Sequence, residues 1–303
     1  MSTSWNVHRH RFCTAAMLEE IIALGFEWVE LSHGIHATMM AEISKFVDKG
    51  KVRISSLHNF CPVPMKESNL DILQFISHRE EKRNQAIFLT QKTIDYAASV
   101  GASCVILPFG KVHNLHSHHN LRRLALQGKL YTKKFAQAKI REILCRERYS
   151  STLEERAINC LLRLGDYASA KGVRLGIKNC KVYEAFPSER ELLSLLEKLG
   201  HPTFGYWHDF GCAQIKEHFT LLNHQEWLDR VGDRAIGSYV HDVQGLDCDN
   251  LPPFSGVIDY LKLVPLLPKH CIFVLKLKGF RKRSAIRSSF QRWKNTFLTE
   301  RKG

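Results

Sequence analysis

The chain has 303 residues, of which 44% are hydrophobic, so it can bury a large core and is not intrinsically disordered. No apolar run approaches the roughly 20 residues of a membrane span, and the first residues lack the apolar stretch of a signal peptide, so we expect a cytoplasmic protein without a membrane span. The 44 Lys and Arg residues outnumber the 30 Asp and Glu residues, which gives a net charge of +14. Such an excess fits either a basic solvated surface or a polyanionic partner such as nucleic acid.

The chain repeats one unit, an amphipathic helix, a glycine, an apolar strand and a polar loop, as in "MLEEIIALG" followed by "FEWVEL". Continuous apolar strands are typical of a parallel sheet that is buried on both faces. We predict seven strands that end near Leu31, Leu57, Leu107, Ile177, His208, Val240 and Leu277. An eighth is expected before residue 10, around "SWNVH". Eight such units predict an α/β fold, a single (β/α)8 TIM barrel over residues 1–303.

Two sequence pairs have the spacing of a capping box and therefore predict helix starts. They are Ser188 with Glu191, and Thr152 with Glu155. Near the C-terminus, apolar residues recur at helical spacing and predict a helix packed on the outside of the barrel. These residues are Ile286, Phe290, Trp293 and Phe297.

One segment does not fit the repeat. Residues 111–150 follow the fourth predicted strand and are too long for a simple connection between a strand and a helix. Most of the segment looks helical and strongly basic, "NLRRLALQGKLYTKKFAQAKIREILCRERY". On a barrel this insertion would lie over the C-terminal face, where active sites are built. It predicts either a lid that attracts phosphate groups or a solvated pair of helices.

Polar residues directly follow the apolar strands, and in a barrel they converge on the C-terminal face. The residues at or directly after these strand ends are, in chain order, Glu30, His58, Pro108, Lys178, Asp209, His241 and Lys276, and all except Pro108 are polar. Carboxylates and imidazoles at such positions are typical of a divalent-metal site that polarises a sugar carbonyl or hydroxyl.

Several of these strand-end stretches resemble the xylose isomerase-like TIM-barrel superfamily. They are "ALGFEWVELSHG", "VRISSLHNFCPVP", "GVRLGIKN", "FGYWHDFGCAQIKEH" and "IGSYVHDVQGLDCDNLPPFSGVIDY". The superfamily includes sugar phosphate isomerases and epimerases and, more distantly, abasic-site nucleases of the endonuclease IV type. The resemblance covers nearly the whole chain apart from parts of the basic insertion and the extreme C-terminus.

The resemblance implies a metal held by a Glu after the fifth strand, an Asp after the sixth, a His after the seventh and a Glu after the eighth. The two Glu residues would also serve as acid and base. Asp209 and His241 match this pattern as residual metal positions. Lys178 in "GIKN" and Lys276 in "VLKLK" stand where the two Glu residues are expected.

The sequence departs from the pattern of its relatives at further positions. Cys212 in "HDFGCAQ" replaces a histidine, and Pro108 stands where many relatives have a fourth-strand histidine. The stretch that begins at Asp249 has lost a histidine and a glycine. Glu30 and His58 remain.

Replacing two carboxylates by ammonium groups changes the charge of the site from about −3 to about +1, and unit charges 4 Å apart interact by about 4 kcal/mol at an effective dielectric constant of 20. The sequence therefore argues against metal-dependent isomerisation and predicts no cofactor. Manganese, cobalt or zinc would bind only if this charge argument fails.

Three functions remain open. The first is a diverged barrel that binds a small anionic ligand such as a sugar phosphate. The second is an enzyme with lysine-based, metal-free chemistry on a carbonyl or sugar substrate. The third is a nucleic-acid-binding barrel without nuclease activity, which would use the basic insertion and the C-terminal run from Lys276 to Lys302.

The candidate residues fall into two groups. The candidate catalytic residues are Lys178, Lys276, His58 and Glu30. The candidate ligand-binding residues are Asp209, His241, Cys212 and Asp249.

Overall fold

The computed structural model describes residues 1–11, 13–63, 74–112 and 117–298. In this part of the chain seven parallel strands form one sheet in the order β1-β2-β3-β4-β5-β6-β9, and β7 and β8 form a separate antiparallel pair. The strands are β1 (Trp28–Leu31), β2 (Arg53–His58), β3 (Cys104–Leu107), β4 (Arg174–Lys178), β5 (Phe204–Asp209), β6 (Ala235–Val240), β7 (Asp242–Gln244), β8 (Cys248–Leu251) and β9 (Ile272–Leu275). The predicted parallel barrel is therefore confirmed.

The first two residues close the sheet into a barrel. The amide of Ser2 donates to the carbonyl of Leu275 in β9 at 2.9 Å, and the amide of Glu30 in β1 donates to the carbonyl of Met1 at 2.9 Å. The expected first strand around "SWNVH" is wrong, because Thr3–Trp5 form a 3₁₀ turn that the side chain of Ser2 caps. Counted from Met1 and Ser2, β4, β5, β6 and β9 are the fifth to eighth strand positions.

Helices surround the sheet in the described part of the chain. They are α1 (Thr14–Ile22), α2 (Ala37–Asp48), α3 (Glu80–Ser99), α4 (Ser117–Leu126), α5 (Lys133–Glu147), α6 (Ser150–Ala170), α7 (Glu189–Leu199), α8 (Phe210–His218), α9 (His224–Val231), α10 (Tyr260–Leu263) and α11 (Arg283–Trp293). None of the described helices is long and apolar enough to cross a membrane.

Of the two helix starts predicted from capping-box spacing, one is present in the structure. Ser188 and Glu191 form a complete capping box at the start of α7. The prediction at Thr152 is wrong, because α6 already begins at Ser150. The apolar stripe at the C-terminus packs as expected, and the ring of Phe290 stacks on Phe26 with centroids 3.9 Å apart.

The predicted basic insertion forms α4 and α5, and residues 113–116 of the segment lie outside the described residues. Arg146 of α5 donates two hydrogen bonds to the carboxylate of Glu191 in α7, at 2.9 and 2.6 Å, and both side chains are buried. Arg122 of α4 pairs with Asp247 between β7 and β8. The insertion thus contacts elements that follow the C-terminal ends of β4 and β6, the end of the barrel where the candidate residues lie.

Below those strand ends the barrel interior is filled by packed side chains. Trp207 of β5 is fully buried, and its indole lies so close to Gly237 of β6 that a Cβ at position 237 would overlap it. The cluster around it consists of Cys104, Ile106, Trp207, Ile236, Tyr239 and Val274. This apolar floor limits any ligand to the space above the strand ends.

Candidate functional site

An ion pair joins the fifth and sixth strand ends. Lys178, the last residue of β4, places Nζ 3.1 Å from Oδ2 of Asp209, the last residue of β5. The other carboxylate oxygen of Asp209 accepts hydrogen bonds from Nε2 of His241 at 2.9 Å and from the amide of Cys212 at 2.9 Å. Both carboxylate oxygens are therefore in use, in a side chain that is only 4% exposed.

The histidine in this cluster has a defined tautomer. Nδ1 of His241 accepts a hydrogen bond from the amide of Asn250 at 3.1 Å, so the proton of a neutral ring is on Nε2, which faces Asp209. Both ring nitrogens are thus hydrogen-bonded within the protein.

The environment keeps the Lys178–Asp209 pair charged. Burial alone would lower the pKa of Lys178, but the carboxylate of Asp209 outweighs it and holds the pKa above its usual value. Burial would likewise raise the pKa of Asp209, but Lys178 and His241 hold it well below its usual range. At neutral pH the pair consists of an ammonium and a carboxylate.

Asn179 fixes the relative position of the two strand ends. Its side chain accepts a hydrogen bond from the amide of Asp209 at 2.7 Å and donates one to the carbonyl of Asp209 at 3.2 Å. The sequence analysis did not select Asn179 as a site residue. Its position directly after Lys178 in "GIKN" was the only signal.

Lys276 lies at the eighth strand position and has different surroundings. Its Nζ is 3.9 Å from the centroid of the Tyr239 ring. Within the part of the chain that the structure describes, no carboxylate lies within ion-pair distance of this nitrogen. Burial and the charge of Lys178 lower the pKa of Lys276, although Glu30 and Asp209 act in the opposite direction.

Glu30 and His58 line the same end of the barrel. Glu30 is fully buried, accepts a hydrogen bond from the hydroxyl of Ser2 at 2.7 Å, and has a pKa raised mainly by burial. Nδ1 of His58 lies 2.9 Å from the carbonyl of Asn59, to which it donates. Burial is the main reason that the pKa of His58 lies well below its usual value, so its ring is neutral and the free lone pair is on Nε2.

Asp249 does not join the Asp209 cluster. One of its carboxylate oxygens pairs with Lys181 at 2.9 Å and the other with Lys278 at 2.7 Å. Although burial opposes the charge, Lys278 and Lys181 hold the pKa of Asp249 below its usual range. Asp249 therefore ties the β7–β8 hairpin to the segments that follow β4 and β9.

A cavity of about 610 Å³ opens beside Lys178. Its described lining contains three lysines, Lys111, Lys178 and Lys181, and no carboxylate. The rest of the lining that the structure describes is mostly apolar, namely Gln74, Leu107, Pro108, Phe109, Gly110, Cys180, Val182, Ala185, Phe186 and Cys212. Such a lining suits an anionic ligand with an apolar or weakly polar face.

The residues present do not fit a divalent cation. Lys178 donates to Asp209, and both nitrogens of His241 are hydrogen-bonded. An ammonium in this place repels a cation and is a poor ligand. Among the described residues, no three His, Cys, Asp or Glu side chains form a group able to hold a metal ion.

A family model described as "Xylose isomerase-like TIM barrel" matches residues 18–271. The uncharacterized protein y4fM of Sinorhizobium fredii is 24% identical over 230 residues, which cover 76% of this chain but only 60% of that relative. The chain thus spans less than two thirds of the length of this relative.

Solved structures of sugar-converting enzymes have the same fold. A putative xylose isomerase from Rhodospirillum rubrum superposes with a TM-score of 0.71 at 14% identity, covering 98% of both chains. The 3-keto-D-glucoside 4-epimerase of E. coli superposes with a TM-score of 0.66 at 11% identity, covering 94% of this chain and 95% of that one. At these identities the likeness shows the fold alone.

Proposed function

Because the chain belongs to the xylose isomerase-like TIM-barrel family, we propose that it is a sugar isomerase/epimerase-like barrel without the metal-dependent reaction. Its function would be to bind a small anionic ligand, such as a sugar phosphate, in the cavity beside Lys178. The observation that carries this proposal is the ion pair between Lys178 and Asp209. The ammonium lies at the strand position where the resemblance implies a metal-binding Glu, and it neutralises the Asp that would otherwise bind the metal.

The charge of the cavity supports an anionic ligand. Lys178 is partly neutralised by Asp209, and Lys181 by Asp249, whereas the side chain of Lys111 extends from the exposed rim. Positive charge that is only partly compensated, with no acid in the described lining, favours a phosphate or carboxylate group. The apolar wall formed by Phe109 and Phe186 would pack against the carbon skeleton of the ligand.

The relatives support a sugar-like skeleton. The two solved structures named above are an epimerase of a keto-glucoside and a putative xylose isomerase. The ammonium groups of the lysines that line the cavity can donate hydrogen bonds to hydroxyl groups as well as to an anionic group. We infer that the ligand combines hydroxyl groups with an anionic group.

Titration calorimetry and thermal unfolding with matched pairs test this proposal. Each pair consists of a pentose or hexose and its phosphate, with inorganic phosphate as the minimal probe. We expect the phosphorylated member to bind at least about tenfold more tightly, which corresponds to about 1.4 kcal/mol. Lys111→Gln should weaken binding, and Lys262→Gln, on the exposed side of α10, should not. Equal affinity for both members of every pair, or no binding by any, would contradict the proposal.

A further inference from the structure

A second cavity of about 610 Å³, the α11 cavity, lies between the segment that follows β8 and the helix α11. It shares no described lining residue with the cavity beside Lys178. Its lining contains three cations, Arg281, Lys282 and Arg292, and no Asp or Glu among the described residues. The ligand proposed for the first cavity does not account for this second concentration of positive charge.

The three cations of the α11 cavity are not neutralised by neighbouring acids. None of them has an ion-pair partner in the part of the chain that the structure describes. The adjacent Arg283 shows the contrast, because it pairs with Glu20 at 2.6 Å. The nearby acid of the β7–β8 hairpin, Asp249, is already paired with Lys181 and Lys278. Positive charge that is left uncompensated in a concave site favours a phosphate or carboxylate group.

Uncharged groups hold two of the guanidinium groups in place. Nε of Arg281 donates to the carbonyl of Asn250 at 3.1 Å, and its guanidinium carbon lies 4.3 Å from the centroid of the Phe280 ring. The guanidinium carbon of Arg292 lies 4.3 Å from the centroid of the Phe254 ring. These contacts restrict the two side chains and leave their charge in place, so less conformational freedom is lost when an anion binds.

An exposed aromatic ring lies beside these cations. Phe280 lines the α11 cavity although it is 70% exposed. A large apolar side chain with this exposure contributes little to the core, and an aromatic ring can stack on the flat face of a nucleobase. A stacking surface next to uncompensated cations matches the two parts of a nucleotide, its base and its phosphate.

We propose that the α11 cavity binds a nucleoside phosphate, with its base against Phe280 and its phosphate at Arg281, Lys282 and Arg292. The inference goes beyond the proposed function, because it concerns a different cavity and a different class of ligand. A volume of about 610 Å³ is that of a site for one small molecule, which favours a mononucleotide over an extended nucleic-acid strand.

Titration calorimetry of the intact protein with AMP, adenosine and inorganic phosphate tests the inference. We expect AMP to bind at least about tenfold more tightly than adenosine or phosphate, because stacking and charge both contribute. Equal affinity for AMP and inorganic phosphate would overturn the inference. Binding of a single-stranded oligonucleotide without binding of AMP would overturn it as well.

Variants show which residues bind the nucleotide. Phe280→Ala should weaken AMP binding at least about fivefold and leave phosphate binding unchanged, because only the base stacks on this ring. Arg292→Gln should weaken the binding of both. The matched control is an exposed aromatic–cation pair on α3, where Nζ of Lys92 lies 5.5 Å from the centroid of the Phe88 ring. Phe88→Ala and Lys92→Gln should change neither affinity, and an unchanged AMP affinity in both cavity variants would overturn the inference.

AMP contains a ribose phosphate, so the experiment must also separate the two cavities. Lys111→Gln should weaken the binding of sugar phosphates and leave AMP binding unchanged, and Arg292→Gln should do the reverse. AMP binding that depends on Lys111 and not on Arg292 would overturn this inference and leave the proposed function intact. Photolabelling of the wild-type protein with an azido derivative of AMP, followed by peptide mass spectrometry, gives the position without any variant. Label in residues 280–292 supports the inference, and label only outside the α11 cavity overturns it.

Discussion

Nζ of Lys178 lies 3.1 Å from Oδ2 of Asp209, so the fifth and sixth strands of this barrel end in an ion pair. The same carboxylate accepts a hydrogen bond from His241, whose other ring nitrogen accepts one from the amide of Asn250. This closed cluster stabilises a positive charge at a fixed position at the C-terminal end of the barrel. It is the basis of the proposal that this chain lacks the metal-dependent reaction.

Removing the lysine should destabilise the protein. In Lys178→Met, Asp209 would remain in a site that is almost completely buried, without its ammonium partner. We expect a loss of about 2–4 kcal/mol in the free energy of unfolding, just below the range for fully buried pairs because Lys178 is 17% exposed. Urea denaturation measures this loss. Lys198→Met, which breaks a more exposed pair with Glu154, serves as the control and should have little effect.

A buried hydrogen-bonded chain underlies a second prediction. Trp227 donates to the hydroxyl of Tyr206 at 2.8 Å, and this hydroxyl donates to Nδ1 of His208 at 2.7 Å. Nε2 of His208 then donates to Nε2 of His224 at 3.0 Å, and Nδ1 of His224 donates to Oε1 of Gln214 at 3.3 Å. The bond between the two Nε2 atoms requires that at least one of the two imidazoles is neutral.

The protein should therefore lose stability as the pH falls below about 6.5, the ordinary pKa of histidine. Burial lowers the pKa of His224 to about 3. Between these values the unfolded chain binds the extra proton, so stability is present above pH 6.5 and is lost as the pH falls towards 3. His224→Gln should reduce the slope by about 1.4 kcal/mol per pH unit between roughly pH 6 and 4. An unchanged slope, measured beside the exposed control His78→Gln, would contradict this account.

The insertion is held by Arg146 and Glu191, which are each 1% exposed and 2.6 Å apart. We expect Arg146→Met to cost about 3–5 kcal/mol, because it leaves the carboxylate of Glu191 buried and uncompensated. In this variant the amide protons of α5 should exchange faster than in the unchanged protein, while exchange in the rest of the barrel changes less. Arg190→Met, at an exposed pair with Glu147, is the matched control. Equal protection of α5 in both variants would count against an anchoring role for Arg146.

Nucleic-acid binding by the insertion remains a prediction. The basic side chains of α5 and its C-terminal end include four exposed ones, Lys133, Lys134, Arg141 and Arg148. If these four contact phosphates of a single-stranded oligonucleotide, affinity should fall about 50-fold between 50 and 200 mM salt. Replacing all four by Gln should abolish most of this dependence in a fluorescence anisotropy titration. Affinity that is independent of salt, or unchanged in the variant, would contradict charge-driven binding.

Much of the barrel was predictable because continuous apolar strands leave few alternatives for their burial. The convergence of Lys178, Asp209 and His241 was predictable for a related reason, since the C-terminal ends of parallel strands share one face. The first strand position could not be predicted, because a segment of two residues, Met1 and Ser2, is too short to show a periodicity. Hydrogen bonds to β9 and β1 define it in the structure.

The sequence also could not show which partners the individual charged side chains have. Asp249 pairs with Lys181 and Lys278 because the β7–β8 hairpin folds across two loops that are distant in the chain. The difference between Lys178 and Lys276 is of the same kind. It depends on which lysine reaches Asp209 and which lies over the ring of Tyr239.

The central claim is that Lys178 excludes a divalent cation from Asp209 and His241. Elemental analysis of the tag-free protein, followed by calorimetric titration with manganese, cobalt and zinc, tests it most directly, with the double variant Lys178→Glu and Lys276→Glu measured in parallel. We predict no stoichiometric metal in the wild-type protein and a newly gained divalent-metal affinity in the double variant. One equivalent of metal in the wild-type protein that is lost in both Asp209→Asn and His241→Ala would contradict the claim.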